Sequence, residues 1–175
     1  GAANVVRNLL GLGAGASAFG CIGNDAEGSK LLDLLHKSNA DTLGVFVDSE
    51  RKTTVKTRVI AASQQVVRID SECHHLIAAS SKKTLLRLLR TALQKNKIGA
   101  LILEDYAKGI FDQDFMQAAC DLANQAGIFT ALDPHPTHTY PVRGLKLMTP
   151  NRAEAFALAG TSYQPGINNP AGDQP

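Results

Sequence analysis

The 175 residues predict an α/β fold: a mostly parallel sheet crossed by helices, with a small antiparallel β layer set off from it. Three observations carry this. From residue 80 onward, helical and strand patterns alternate, the rhythm of a parallel sheet with right-handed crossovers. Ala100-Leu101-Ile102-Leu103 is an uninterrupted apolar run, as expected of a strand buried on both faces. Between residues 53 and 70 the period changes to two. Val55, Thr57, Val59 and Ala61 fall on one side, and Thr54, Lys56, Arg58 and Ile60 on the other.

The elements follow in order. Val5, Val6, Leu9 and Leu10 recur at helical spacing, and Gly11 and Gly13 stop that helix. Ser17–Ile22 suits a short strand, and Gly23-Asn24-Asp25-Ala26-Glu27-Gly28 a turn. Leu31, Leu32, Leu34 and Leu35 mark a second helix, and Leu43–Val47 a second strand. Thr53–Ala61 and Gln64–Asp70 then form a half-exposed hairpin with cations on one face. Leu85, Leu86, Leu88, Leu89 and Leu93 make the next helix, ahead of the strand Ala100–Leu103. Phe115–Ala126 is a helix ended by Gly127, followed by strands Ile128–Leu132 and Leu145–Thr149. Asn151–Ala159 is a last helix, closed by Gly160, and Gln164–Pro175 reads as a loop.

Composition excludes several classes of function. Hydrophobic residues make up 44% and charged residues 19%, so the chain is not a disordered tail. A net charge of +2 shows no bias toward nucleic acid or acidic membrane. Apolar runs are only a few residues long, too short to span a bilayer, and the start lacks a secretory signal pattern. Cys21, Cys73 and Cys120 are widely spaced and odd in number, which reads as reduced cytosolic thiols. A cytoplasmic protein is expected.

In an open parallel sheet, ligands bind beyond the carboxyl ends of the strands. Three successive strands lead there into Glu104-Asp105-Tyr106-Ala107-Lys108-Gly109, Asp133-Pro134-His135-Pro136 and Pro150-Asn151-Arg152-Ala153-Glu154. Carboxylates for a hydrated magnesium ion, a lysine for phosphate and a helix start suit phosphoryl transfer. Plainer roles fit the same residues. Asn151 and Glu154 have the spacing of a capping box, Asp133-Pro134 that of a turn, and Lys108 that of a solvated loop charge. Lys56, Arg58 and Arg68 form an exposed hairpin face or a phosphate-recognising one. Gly11–Ala16 matches a dinucleotide fingerprint by letters but follows a helix and precedes a strand, the reverse of the required order. Cys73-His74-His75 lacks a second ligand pair at zinc spacing.

Taken together, these segments resemble the ribokinase-like (PfkB) family of carbohydrate kinases. Gly1-Ala2-Ala3-Asn4 resembles the end of its G-G-x-x-x-N signature, Gly23–Gly28 its G-x-D-x-x-G turn, and Asn151–Glu154 its N-x-x-E motif. Thr57–Ala61 with Gln64–Asp70, then Asp105–Gly109, then Leu147–Ala155 are most similar to the heptose 7-phosphate kinases, which occur as domains of bifunctional ADP-heptose synthesis proteins. The resemblance implies a ribokinase-like three-layer α/β/α sandwich with a small β lid over about 53–70. It implies ATP and Mg2+ as cofactors, a sugar phosphate as substrate, and a homodimer formed through the lid. It places Asn4, Gln65, Arg68 and Lys108 against substrate, and Asp133, Asn151 and Glu154 at metal and phosphate.

The departures also set expectations. Ala107 stands where the D-Y-G-K-G loop of the family has glycine, and His135-Pro136 replaces Lys-Gly after Asp-Pro. The catalytic aspartate of the family lies in a G-A-G-D loop, which Ala171-Gly172-Asp173 matches only by coincidence. Residues 1–175 are therefore expected to be one partial kinase domain, truncated at both ends, with its base beyond Pro175 and no activity of its own. The alternatives are a PfkB-type kinase of another phosphorylated sugar, or a non-catalytic sugar-phosphate-binding or dimerisation module.

Overall fold

A computed structural model describes residues 1–95 and 98–162. The order is α1 (Ala2–Gly11), β1 (Ser17–Gly23), α2 (Ala26–Lys37), β2 (Asp41–Asp48), β3 (Val55–Ala61), β4 (Gln64–Ser71), α3 (Ala79–Lys95), β5 (Ala100–Glu104), α4 (Gln113–Gln125), β6 (Phe129–Asp133), β7 (Leu147–Met148) and α5 (Arg152–Leu158). Every element expected from the sequence is present. Gln164–Pro175, with Ala171-Gly172-Asp173, lies outside the described residues.

The parallel strands form two separately hydrogen-bonded pieces, β1–β2 and β5–β6–β7. Phe19 of β1 packs against the core of the larger piece, and α3 touches both β1 and β2, which links the two. That core is built from the amphipathic faces of α3 and α4. Leu89, Leu93, Met116, Ala119 and Ala123 close on Leu103, Ile128 and Leu132 of the sheet. Each fully buried leucine, isoleucine or methionine side chain among these contributes roughly 1.5–3 kcal/mol, and each alanine methyl less. Thr130 is completely buried, and its hydroxyl donates to the Gly144 carbonyl at 3.2 Å.

β5 is not buried on both faces. Leu103 is buried, whereas Ala100 and Ile102 on the opposite face are exposed, as are Phe129 and Leu147 on the neighbouring strands. A continuous apolar run does not reveal which face the helices cover, and among the described residues α3 and α4 cover one.

The G-x-D-x-x-G turn is a clasp. Asp25 caps α2 by accepting from the Gly28 amide at 2.8 Å. The same carboxylate accepts from the Thr53 amide at 2.8 Å and the Thr53 hydroxyl at 2.6 Å. Those Thr53 bonds, ahead of the Gly28 amide, hold the Asp25 carboxyl below its ordinary range. Gly28 is needed because a Cβ there would lie 2.6 Å from the Gly23 carbonyl oxygen. The turn thus anchors the segment that enters the hairpin.

β3 and β4 pair antiparallel, with Val59 opposite Val67, Thr57 opposite Ile69 and Arg58 opposite Arg68. One face is apolar and the other cationic, as the period of two requires. No residue of either strand is buried.

Candidate active site

The carboxyl ends of β5, β6 and β7 lie side by side. Glu104 and Asp133 are partners in the strand register, so the two carboxylates end adjacent strands. Burial first, and then the neighbouring Asp133 carboxylate, push the Glu104 carboxyl above its ordinary range. Tyr106 donates its hydroxyl to Glu104 Oε2 at 3.2 Å. From β7, the Thr149 hydroxyl donates to Asp133 Oδ1 at 3.2 Å. Two residues later Asn151 opens α5.

Asn151 and Glu154 form a complete capping box. Asn151 Oδ1 accepts from the Glu154 amide at 3.0 Å, and Glu154 Oε2 accepts from the Asn151 amide at 2.7 Å. Asn151 Nδ2 also donates to Glu154 Oε1 at 2.5 Å, so both oxygens of Glu154 are engaged at the helix start. The capping role weighed from spacing is present, and the box sits on the strand end next to Asp133.

The loop after β5 is held in an unusual path. Ala107 has φ +51° and Gly109 φ +77°. A Cβ on Gly109 would lie 1.9 Å from the His75 carbonyl oxygen, so only glycine fits. Asp105 is almost fully buried. Its Oδ1 accepts from the Ala107 amide at 2.8 Å, and its Oδ2 lies 2.7 Å from His138 Nδ1. His138 in turn stacks on Tyr140 with ring centroids 4.9 Å apart. Buried Arg51 ties three carbonyls together: His75 at 2.7 Å, Cys73 at 3.3 Å and Lys108 at 2.5 Å.

The hairpin root meets this loop through charge. Lys108 Nζ lies 2.7 Å from Glu72 Oε1, and Glu72 immediately follows β4. Arg68 is half-exposed on the cationic face, with its Nε 3.0 Å from Asp70 Oδ1. Gln65 lies at the exposed hairpin tip. Glu104, Asp133, Asn151 and Glu154 therefore lie on neighbouring strand ends, whereas Asn4 sits in the first turn of α1, its amide donating to the Gly1 carbonyl at 2.8 Å. Lys108 joins that rim to the hairpin carrying Gln65 and Arg68. Among the described residues, no three His, Cys, Asp or Glu side chains gather into a metal cage. His74 and Cys73 belong to the hairpin root, with His74 Nε2 3.0 Å from Glu72 Oε1.

Sequence reasoning did not single out Glu72, Arg51 or His138. The alternation Arg68, Asp70, Glu72 is a signal for the first, because period two puts Glu72 in line with the charged hairpin face. Nothing local marks Arg51 or His138, whose side-chain hydrogen-bond partners lie 22 to 57 positions away.

The profile of the pfkB family carbohydrate kinases matches residues 1–169. The chain belongs to that family. It is 40% identical over 154 residues to the bifunctional protein HldE of Helicobacter pylori strain P12, covering 88% of this chain and 33% of that protein. It is 37% identical over 162 residues to the bifunctional protein HldE of Citrifermentans bemidjiense, covering 93% of this chain and again 33% of the relative. The pfkB-family chain thus spans about a third of the length of these relatives. The crystal structure of 2-dehydro-3-deoxygluconokinase from Thermotoga maritima superposes with a TM-score of 0.73 at 16% identity, over 93% of this chain and 53% of that one. The fold is ribokinase-like, as the motifs implied. No helix among the described residues is long and apolar enough to cross a membrane.

Proposed function

We propose that this chain supplies the sugar-binding part of an ATP-dependent kinase that phosphorylates the anomeric hydroxyl of D-glycero-β-D-manno-heptose 7-phosphate, giving the 1,7-bisphosphate. The observation that carries this is the joining of the acidic rim to the basic hairpin through Lys108 and Glu72. A sugar phosphate needs both features at once. The rim carboxylates suit the hydroxyl end and the metal, and the cations suit the phosphate. The heptose assignment rests on the resemblance in Asp105–Gly109 and Leu147–Ala155 and on the likeness to the HldE proteins.

In this reading Asn4 contacts sugar hydroxyls, and Gln65 and Arg68 close over the sugar phosphate. Lys108 meets a phosphate, and Asp133, Asn151 and Glu154 order metal and nucleotide phosphates. The donors fit Mg2+, because Glu104 and Asp133 are adjacent carboxylates whose mutual repulsion a hard cation relieves. Asp133 would hold the ion, which would neutralise phosphate charge during transfer. Glu154 already serves the helix start, so its part is to orient Asn151. The apolar hairpin face of Val59, Val67 and Ile69, exposed at 42, 46 and 58%, is assigned to pairing with a second copy.

Calorimetry on the chain tests the substrate. Heptose 7-phosphate should bind, and Arg68→Ala should weaken it about tenfold, as for a lost charge-assisted hydrogen bond. Preferential binding of a hexose phosphate would replace the heptose assignment with the other sugar-kinase reading. A sedimentation mass of one chain at high concentration would remove the lid dimer.

A further inference from the structure

Glu72 is the first residue after β4, and its carboxylate is where the hairpin and the Asp105–Gly109 loop meet. Lys108 Nζ lies 2.7 Å and His74 Nε2 3.0 Å from Oε1, while Lys56 Nζ approaches Oε2 at 3.4 Å. The Glu72 side chain is only 13% exposed, and its Oε2 is shielded from solvent without a hydrogen bond of normal geometry. Lys56 is shared, because its ammonium also lies 3.0 Å from Asp70 Oδ2 across the hairpin. The backbone of Lys108 is fixed separately. Its carbonyl accepts from Arg51, and the next carbonyl, of Gly109, accepts from the Ile77 amide at 2.9 Å. Only the flexible four-carbon stem of Lys108 is left to choose where the ammonium goes, and such a stem without a partner samples many rotamers.

We propose that Glu72 is a positioning residue that holds the Lys108 ammonium at the rim only while the hairpin is seated, so that lid position and anion recognition are coupled. This deepens the sugar-phosphate reading above and rests on it for the identity of the ligand. The coupling itself rests on geometry alone. The Lys108 bond, against an opposing effect of burial, also holds the Glu72 carboxyl below its ordinary range. A purely competitive role for Glu72 predicts the opposite sign. A carboxylate that merely neutralised Lys108 would weaken anion binding, and its removal would tighten it.

Amide hydrogen exchange on the full 175-residue chain tests the coupling, using Glu72→Gln, Lys108→Met and the double variant. Lys108→Met should raise exchange across residues 55–71 several-fold, although Lys108 is not in the hairpin. Glu72→Gln should do at least as much, and the double variant no more. Unchanged hairpin exchange in Lys108→Met, or effects that add, would overturn the proposal. Binding of heptose 7-phosphate provides the second measurement. Glu72→Gln should weaken it about tenfold, and adding Lys108→Met should cost little more. Tighter binding by Glu72→Gln would sink the positioning role. If the unmodified chain binds no heptose 7-phosphate, the substrate reading fails, and exchange decides the coupling by itself. Normal circular dichroism in Glu72→Gln excludes misfolding as the cause.

Discussion

The helix-covered layer β5–β6–β7 buries Leu103, Met116, Ala119, Cys120, Ala123 and Leu132, whereas neither strand of the β3–β4 hairpin buries a single residue. An isolated two-stranded hairpin is marginal in water. This one is therefore held at its root, and the root is polar: Asp25 on Thr53, Arg51 on three carbonyls, and Glu72 among Lys56, His74 and Lys108. One region owes its order to apolar burial and the other to hydrogen bonds and charge. The difference teaches where pH and ligands can act. Apolar contacts do not respond to protons or phosphate, and the root contacts do.

Removing apolar volume should produce the largest effect, and it should not discriminate between the regions. Met116 is 1% exposed in the centre of the layer. Met116→Ala should cost about 2–5 kcal/mol of global stability. Exchange in the hairpin and in the layer should rise together, because global unfolding exposes both. A rise confined to the layer would show that the hairpin folds independently of it.

Cutting the polar root should separate them. Arg51→Met leaves the His75, Cys73 and Lys108 carbonyls without their shared donor, a loss of about 2 kcal/mol for buried charge-assisted bonds. Residues 55–77 should then exchange faster at denaturant concentrations where the layer stays protected. Equal acceleration in both regions would dissolve the distinction.

Acid should act in the same direction as Arg51→Met, more weakly. Lys108 first holds the Glu72 carboxyl below its ordinary range, and Lys56 first does so for Asp70. A depressed carboxyl stabilises the folded form above the unfolded value, about 4 for these side chains. That contribution is lost as pH falls through the lower folded value. Lys56 is raised, chiefly by its bond to Asp70, so its contribution holds below about pH 10 and is lost as pH rises through the higher folded value. Hairpin opening, corrected for intrinsic exchange, should be flat between about pH 5 and 10 and rise on either side. A hairpin indifferent to pH 3 would mean that charge does not hold its root.

The same contrast explains what could be read from the sequence. Apolar periodicity revealed every strand and helix, because burial imposes periods of 2 and 3.6 on the chain itself. The exposed face of β5 was not legible, since Ile102 reads the same whether or not a helix covers it. At the rim, Asp133, Asn151, Glu154 and Lys108 were legible as the residues that follow strands. The contacts that set their geometry were not. Arg51 reaches Lys108 across 57 positions and His138 reaches Asp105 across 33, and no local pattern records either pairing. Period two could have reached Glu72, as the third in a row of alternating charges.

The smallest expected effect concerns the loop that joins the two regions, and its sign is informative. The family resemblance marks Ala107 as standing where glycine is usual, and the structure supplies the reason: φ is +51° there. An L-residue in that region carries about 1–2 kcal/mol of steric strain. Glycine removes the strain but adds about 0.5–1 kcal/mol of entropy to the unfolded chain. Ala107→Gly should therefore stabilise the protein by up to about 1 kcal/mol, seen as a higher denaturant midpoint at unchanged slope. A lower midpoint would mean that the methyl group offsets its strain through packing, next to the carbonyl that lies 3.1 Å from His74 Nδ1. In that case the loop would be held partly by apolar contact, and the boundary between the two modes of stabilisation would move from the hairpin root into the Asp105–Gly109 loop.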